Sequence, residues 1–248
     1  MKKRIVITDL TRMQHGNVCI CGYDKDHNCV RPIFSSLGIS EKSLIKDGKP
    51  IIFPFALVEF DFISPRPEPP HTEDTIFFSG SPKFIQQISD RQKILLWSLF
   101  DDVENLFEQP VLTDVGFSVL DCQGPRSVGT IEPKNIHKII YEAGPDGVWD
   151  FRMAFYDNSD TYYRLKITDL TWHYYCNSFR GTGRDADSIA KEMTNVLKDK
   201  TVLIRIGLSR GWAKFPDRCF LQVNGIYTFP DYLDGKTFID FYEHANLS

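Results

Sequence analysis

The residues best equipped for chemistry lie toward the C-terminus. Between Lys198 and Arg218 six basic side chains (Lys198, Lys200, Arg205, Arg210, Lys214, Arg218) stand against two acids, Asp199 and Asp217, with Trp212 and Phe215 interleaved. In Leu208-Ser209-Arg210-Gly211-Trp212 an apolar strand runs into a glycine turn flanked by a guanidinium and an indole. A guanidinium offers a planar fork to phosphate, and an indole offers a face on which a base can stack. The next stretch, 219–227, alternates, so that Gln222 and Asn224 share one face opposite Leu221 and Val223, with Tyr227 following. Two amides on one strand face can hydrogen-bond base edges. The plain alternative is a solvated face carrying an amphipathic arginine or two.

A second group is N-terminal. Asp9, Thr11 and Arg12 sit just past the first apolar run, and Arg31-Pro32 closes a hairpin, so two arginines near one barrel end could meet an anion. The alternative is that Asp9 and Arg12 pair with each other or with neighbours, for little energy. His15, Cys19, Cys21, His27 and Cys29 carry zinc's usual donor atoms, but Cys-x-Cys on a strand is not the knuckle of a structural zinc site. Packed thiols are expected there, with no metal and no cofactor. No P-loop, nucleophile elbow or zincin motif is present. Gly181-Thr182-Gly183-Arg184 precedes a helix but lacks a full phosphate-binding glycine pattern and reads as a mobile loop. No catalytic residue is assigned.

These residues need elements to hold them. Apolar runs at 4–10 and 18–23, the latter followed by the polar turn 24–28 and Cys29-Val30-Arg31-Pro32, predict strands with a hairpin. A long strand is expected over 50–63, ending in Pro65-Arg66-Pro67-Glu68-Pro69-Pro70, an extended polyproline-like connection. Ser89 with Gln92 forms a capping-box pattern, and the apolar residues from Ile94 to Phe107 predict one helix over 89–108. Strands return at 117–121, 128–132, 136–142, 149–156 and 162–170, then a helix at 187–198 capped by Asp185 or Asp187, then strands at 201–209 and 219–227. Many short strands with few helices predict a mainly β, α+β chain of two small barrels packed together, residues 1–110 and 111–248.

Composition agrees. Of 248 residues, 42% are hydrophobic and 25% charged, the balance of a globular chain with a real core, and the 13% aromatic content favours sheet. A net charge of −4 argues against coating duplex DNA by bulk electrostatics, while leaving room for a local basic groove. The N-terminal apolar run stops at Asp9, too short for a signal core or a membrane span, so a cytoplasmic protein with six reduced cysteines is expected. Ile7-Thr8-Asp9-Leu10-Thr11 returns as Ile167-Thr168-Asp169-Leu170-Thr171, which reads as a strand-end from a duplicated module.

At these same residues the chain resembles the dual OB-containing domain family of bacterial proteins. The resemblance rests on Ile7-Thr8-Asp9-Leu10-Thr11-Arg12-Met13, Cys29-Val30-Arg31-Pro32, 205–210 and 221–227, near the two ends of the chain. It implies two oligonucleotide/oligosaccharide-binding barrels, which bind through the face of strands two and three and the adjoining loops, in an accessory or sensing component of a defence system. The expected ligand is then a single-stranded nucleic acid or a nucleotide. An adaptor that docks a protein partner through 65–70, and an enzyme acting on nucleotides, are the competing expectations.

Overall fold

The alternation in Ala56-Leu57-Val58-Glu59-Phe60-Asp61-Phe62 places Ala56, Val58, Phe60 and Phe62 in the interior and leaves the residues between them partly exposed. That two-residue period is what a strand with one buried face requires. The computed structural model describes residues 1–34, 38–120, 124–143, 149–180 and 182–242. The chain divides into two compact units, Met1–Ser98 and Leu99–Ser248.

The first unit is a closed barrel of five strands: β1 (Lys2–Arg12), β2 (Asn17–Asp24), β3 (Cys29–Ile33), β4 (Ala56–Pro65) and β5 (Asp74–Phe77). β1 pairs with β2 and β2 with β3, all antiparallel; β3 pairs parallel with β5; β5 and β1 each pair antiparallel with β4, which closes the circuit. A sixth strand, β6 (Lys83–Gln87), adds to β4. It leads into the short helix α1 (Asp90–Leu95), where the expected Ser89–Gln92 capping box is formed.

The second unit repeats the plan with a divided first strand. β7 (Val128–Ile131) pairs with β11 (Thr201–Leu208), whereas β8 (Asn135–Ala143), three residues further on, pairs with β9 (Trp149–Tyr156). β9 pairs with β10 (Tyr162–Ile167), β10 runs parallel to β12 (Arg218–Phe229), and β12 pairs antiparallel with β11. Between β10 and β11 come α3 (Leu170–Arg180) and α4 (Ala186–Leu197). Asp185 caps α4 by accepting from Ser188 N–H at 2.8 Å, and Ile189, Met193 and Leu197 bury one face of it. The core joins Phe151, Met153 and Phe155 to Tyr163, Leu165, Ile167 and Trp172.

Several expectations give way. The single helix over 89–108 is replaced by α1, a short strand at Leu99–Phe100 and the helix α2 (Val103–Phe107). Asp102 interrupts the run by capping α2 at Asn105 N–H, Leu99–Phe100 pairs beside β7, and Ile94, Leu95 and Leu99 are left exposed instead of forming a buried stripe. The strand expected to reach Leu170 ends at Ile167, because Asp169 accepts from Trp172 N–H and starts α3, a helix the aromatic-rich sequence concealed. The proline-rich stretch is not an extended polyproline connection: β4 runs through Pro65, and Glu68 and His71 bridge to turn the chain back into β5. Cys219 is disulfide-bonded, which corrects the expectation of six reduced thiols. Gly181 of the glycine-rich loop lies outside the described residues, as does Asp121 beyond the strand Ser118–Leu120. No helix among the described residues is long and apolar enough to cross a membrane.

The β2–β3 hairpin depends on Asp24. Its Oδ1 accepts from the amides of Asp26 and Asn28, both at 2.9 Å, and its Oδ2 lies 2.6 Å from the Lys3 ammonium. Burial works to raise the Asp24 pKa, but Lys3 and these amides outweigh it and hold the carboxyl below its ordinary value of 3.8. A carboxylate with a depressed folded pKa contributes stability that is present above the unfolded value and lost as pH falls through the folded one. Wild-type protein should therefore lose stability as pH drops below about 4. Asp24→Asn should cost about 1–3 kcal/mol at neutral pH and flatten that acid loss, as measured by urea unfolding across the range.

Candidate functional site

In the first barrel three of the four candidate residues, Asp9, Thr11 and Arg31, are largely covered, and one, Arg12, is exposed. Thr8 sits at a bulge in β1, and its hydroxyl lies 2.7 Å from Asp9 Oδ2 and 3.4 Å from the Cys21 carbonyl. Asp9 and Thr11 are buried, whereas Arg12, the last residue of β1, is exposed. Arg31 and Asp74 are register partners on the parallel strands β3 and β5 and form a two-armed ion pair: Arg31 Nε donates to Asp74 Oδ1, and Nη2 to Oδ2 at 2.9 Å. Burial disfavours the Arg31 charge, but the neighbouring Cys19 and the hydrogen-bonded Asp74 more than restore it, and its pKa is raised. Arg31 thus serves the barrel wall.

The outer face of β2 and β3 is covered by the unit's own chain. Tyr23 packs with Ile88 and Leu96 in a cluster that Val6, Cys29, Phe55, Leu57 and Trp97 extend. Phe55 adopts φ +70°, rare for a bulky residue, and its ring meets Trp97 edge-on at 6.0 Å.

The second barrel leaves the corresponding face open. On β9 and β10 the inward residues Phe151, Met153, Phe155, Tyr163, Leu165 and Ile167 are buried, and the outward ones include Arg152, Tyr156, Tyr162, Arg164 and Lys166. Tyr156 and Tyr162 are register partners with ring centroids 5.3 Å apart. Arg152 and Arg164 both reach Glu142, at 3.3 and 3.0 Å, and Lys166 lies 2.8 Å from Asp150. Lys166 is the register partner of Gln222 on β12, so this face continues onto the strand that bears Gln222 and Asn224.

Those two amides share a face as expected, with Leu221 and Val223 buried behind them. Asn224 Oδ1 accepts from Thr168 Oγ1 at 3.1 Å, and its amide crosses Gly207 so closely that a Cβ there would stand 2.1 Å from Nδ2. Gln222 is partly exposed. Arg205 and Tyr227 are interior: Arg205 has no exposed surface, and its Nη1 donates to Thr130 Oγ1 at 3.0 Å.

The loop 209–217 joins the fourth and fifth strands of this barrel. Trp212 and Phe215 exchange backbone hydrogen bonds, Trp212 N–H to the Phe215 carbonyl at 3.3 Å and the reverse at 2.7 Å, so the loop closes on itself. Where it crosses, a Cβ on Gly211 would lie 2.0 Å from the Pro216 carbonyl oxygen, which only glycine avoids. Trp212 is 52% exposed, with its ring centroid 5.4 Å from Phe215 and 6.3 Å from Phe220. Lys214 Nζ stands 5.3 Å from the Phe215 ring centre, and Arg210 is exposed beside the turn. Arg218 is held by Asp114 through two bonds, at 2.8 and 2.9 Å.

The structure therefore brings Arg210, Trp212 and Gln222 to one side of the second barrel, keeps Arg205 and Tyr227 inside it, and leaves Arg12 on the first barrel. The sequence reading missed Arg152, Arg164, Lys166, Tyr156 and Tyr162; the alternation in Tyr162-Tyr163-Arg164-Leu165-Lys166-Ile167 was the available signal. Among the described residues no group of three or more His, Cys, Asp or Glu could hold a metal ion.

Ile7–Thr11 and Ile167–Thr171 occupy different topological places, one inside a first strand and one at the junction of a third strand with a helix. The repeat thus does not mark equivalent positions of duplicated modules. It reflects shared local chemistry, since Thr168 Oγ1, like Thr8 Oγ1, reaches a carbonyl of a neighbouring strand, Val223 at 3.2 Å.

A closed five-stranded barrel in the first unit and a second sheet that repeats its strand order, each with a parallel pairing of third and fifth strands, fit a protein built on two OB barrels. The chain belongs to the family described as dual OB-containing domain, whose model matches residues 3–226. No curated protein matches it. Among solved structures it is similar to a chain from a replication protein A heterotrimer bound to single-stranded DNA, at 8% identity and a TM-score of 0.34. That alignment covers 91% of this chain and 49% of the other, so this chain spans about half the length of its neighbour.

Removing one partner of the Arg31–Asp74 pair strands a buried charge. Asp74→Ala should destabilise the first barrel by about 3–5 kcal/mol in urea unfolding. Arg31→Met combined with Asp74→Leu should recover much of that loss, because a well-packed apolar pair can replace a buried ion pair.

Proposed function

We propose that the second barrel binds single-stranded nucleic acid on the face of β9 and β10 together with the loop 209–217. The observation that carries this reading is Trp212: a half-exposed indole, backed by Phe215 and Phe220, on a self-closed loop beside Arg210 and Lys214. An indole face presented to water on a loop offers a platform on which any base can stack. The strand two–three face and the loop between strands four and five are where OB barrels take oligonucleotides. The Tyr156–Tyr162 pair and Gln222 offer further stacking and hydrogen-bonding surface.

Electrostatics sets the character of the binding. Arg152, Arg164 and Lys166 share their face with Glu142 and Asp150, which leaves little net charge there. Stacking should then supply most of the affinity, with a few phosphate contacts from Arg210 and Lys214. A free nucleotide would engage only the loop. Salt dependence should be shallow, each phosphate contact contributing about 0.7 to the slope of log K against log salt.

The exposed segment 65–69 supports a second reading, a protein-docking edge on the first barrel, which needs no nucleic acid.

Fluorescence anisotropy with short labelled single-stranded DNA and RNA, at low and physiological salt, tests the proposal. Trp212→Ala should weaken binding by about 5- to 100-fold, the worth of one stacked base. Arg210→Ala should weaken it less and lower the salt slope, while Arg12→Ala should leave it unchanged. Absence of binding at low salt would overturn the nucleic-acid reading and favour a protein partner.

A further inference from the structure

We infer that Cys21 and Cys29 form a redox-active dithiol in the first barrel, which a hydroperoxide closes to a disulfide joining β2 to β3. Their sulfur atoms lie 3.1 Å apart on neighbouring antiparallel strands, and neither is in a disulfide. A bond of about 2.04 Å requires the sulfurs to approach by about 1 Å. The hairpin that sets this spacing is short and fixed: only seven residues separate the cysteines, and the Asp24 carboxylate ties the turn at Asp26 and Asn28.

The two thiols are unequal in a useful way. Cys29 is partly exposed and can meet an oxidant, whereas Cys21 is buried behind it. The Arg31 guanidinium, which interacts electrostatically with Cys21, favours the negative charge that develops on the Cys21 sulfur in the second, bond-closing step. Cys19 is occupied differently, its thiol being hydrogen-bonded with Arg31.

The chemistry balances without a cofactor. Cys29 sulfur attacks the peroxide O–O bond, forming an S–O bond to give a sulfenic acid and releasing an alcohol, or water from hydrogen peroxide. Cys21 sulfur then attacks Cys29 sulfur; the S–O bond breaks, the S–S bond forms, and the departing hydroxyl leaves as water with the Cys21 proton. The two sulfurs lose two electrons to the peroxide. This site is independent of the proposed nucleic-acid face.

The test treats the full-length protein with hydrogen peroxide, then denatures it in alkylating reagent and digests it. Cleavage at Lys25 separates Cys21 from Cys29, so a bond between them links two peptides by mass, and fragmentation assigns the linked sulfur to Cys21 or Cys19. Met13, exposed in the same N-terminal region, reports the oxidant dose. The expected result is a Cys21–Cys29 link that dithiothreitol reverses, that persists in Cys19→Ser and that is absent from Cys29→Ser. Alkylation of both thiols at doses that oxidise Met13, a link through Cys19, or a link between molecules overturns the inference.

Discussion

Each barrel depends on one seam, the parallel pairing of its third strand with its fifth. Parallel neighbours cannot be joined by a tight turn, so the chain must leave the barrel after strand three and return in register. In the first unit the return is anchored by Arg31 on β3 and Asp74 on β5, facing one another as register partners. In the second, Thr168 gives both its backbone N–H and its hydroxyl to the Val223 carbonyl, and Asp169 accepts from Ile226 N–H. The same aspartate accepts from Trp172 N–H and so also begins α3. A buried ion pair and a threonine–aspartate stitch solve one geometric problem by different chemistry.

The two barrels of this dual OB-containing family member present their strand two–three faces differently. In the first, Tyr23 and Cys29 meet Ile88, Leu96 and Trp97 from the segment after β6, so the face is consumed as packing. In the second, the equivalent strands carry arginine, lysine and tyrosine into solvent. Sharing a topology has not meant sharing a surface; the segment C-terminal to the barrel strands decides whether the face stays available.

Much of the barrel plan was legible because strand periodicity is local. The β2–β3 hairpin, β9 and the capped helix α4 all arise from alternation, turn residues and an N-cap aspartate. The hidden elements were set by partners distant in sequence. Leu99–Phe100 reads as helix until β7 offers it a strand to pair with. Arg205 reads as a phosphate ligand, yet it sits within Val202-Leu203-Ile204-Arg205-Ile206, a run apolar on both sides of the arginine. Both faces of this strand are buried, Ile204 and Ile206 as fully as Arg205, and the polar partner, Thr130, lies 75 residues away. Trp212 and Arg210, by contrast, were visible because a surface loop takes its shape from its own residues.

The loop 209–217 is closed by its own backbone, with Gly211 crossing beneath Pro216 and Trp212 hydrogen-bonded to Phe215. Its aromatic side chains are therefore placed before any ligand arrives, and little conformational freedom remains to be lost when one does. If the loop binds as proposed, it would recognise shape without folding around its ligand. Docking there would then be governed by how often a ligand collides in the right orientation, and not by how long the loop takes to organise.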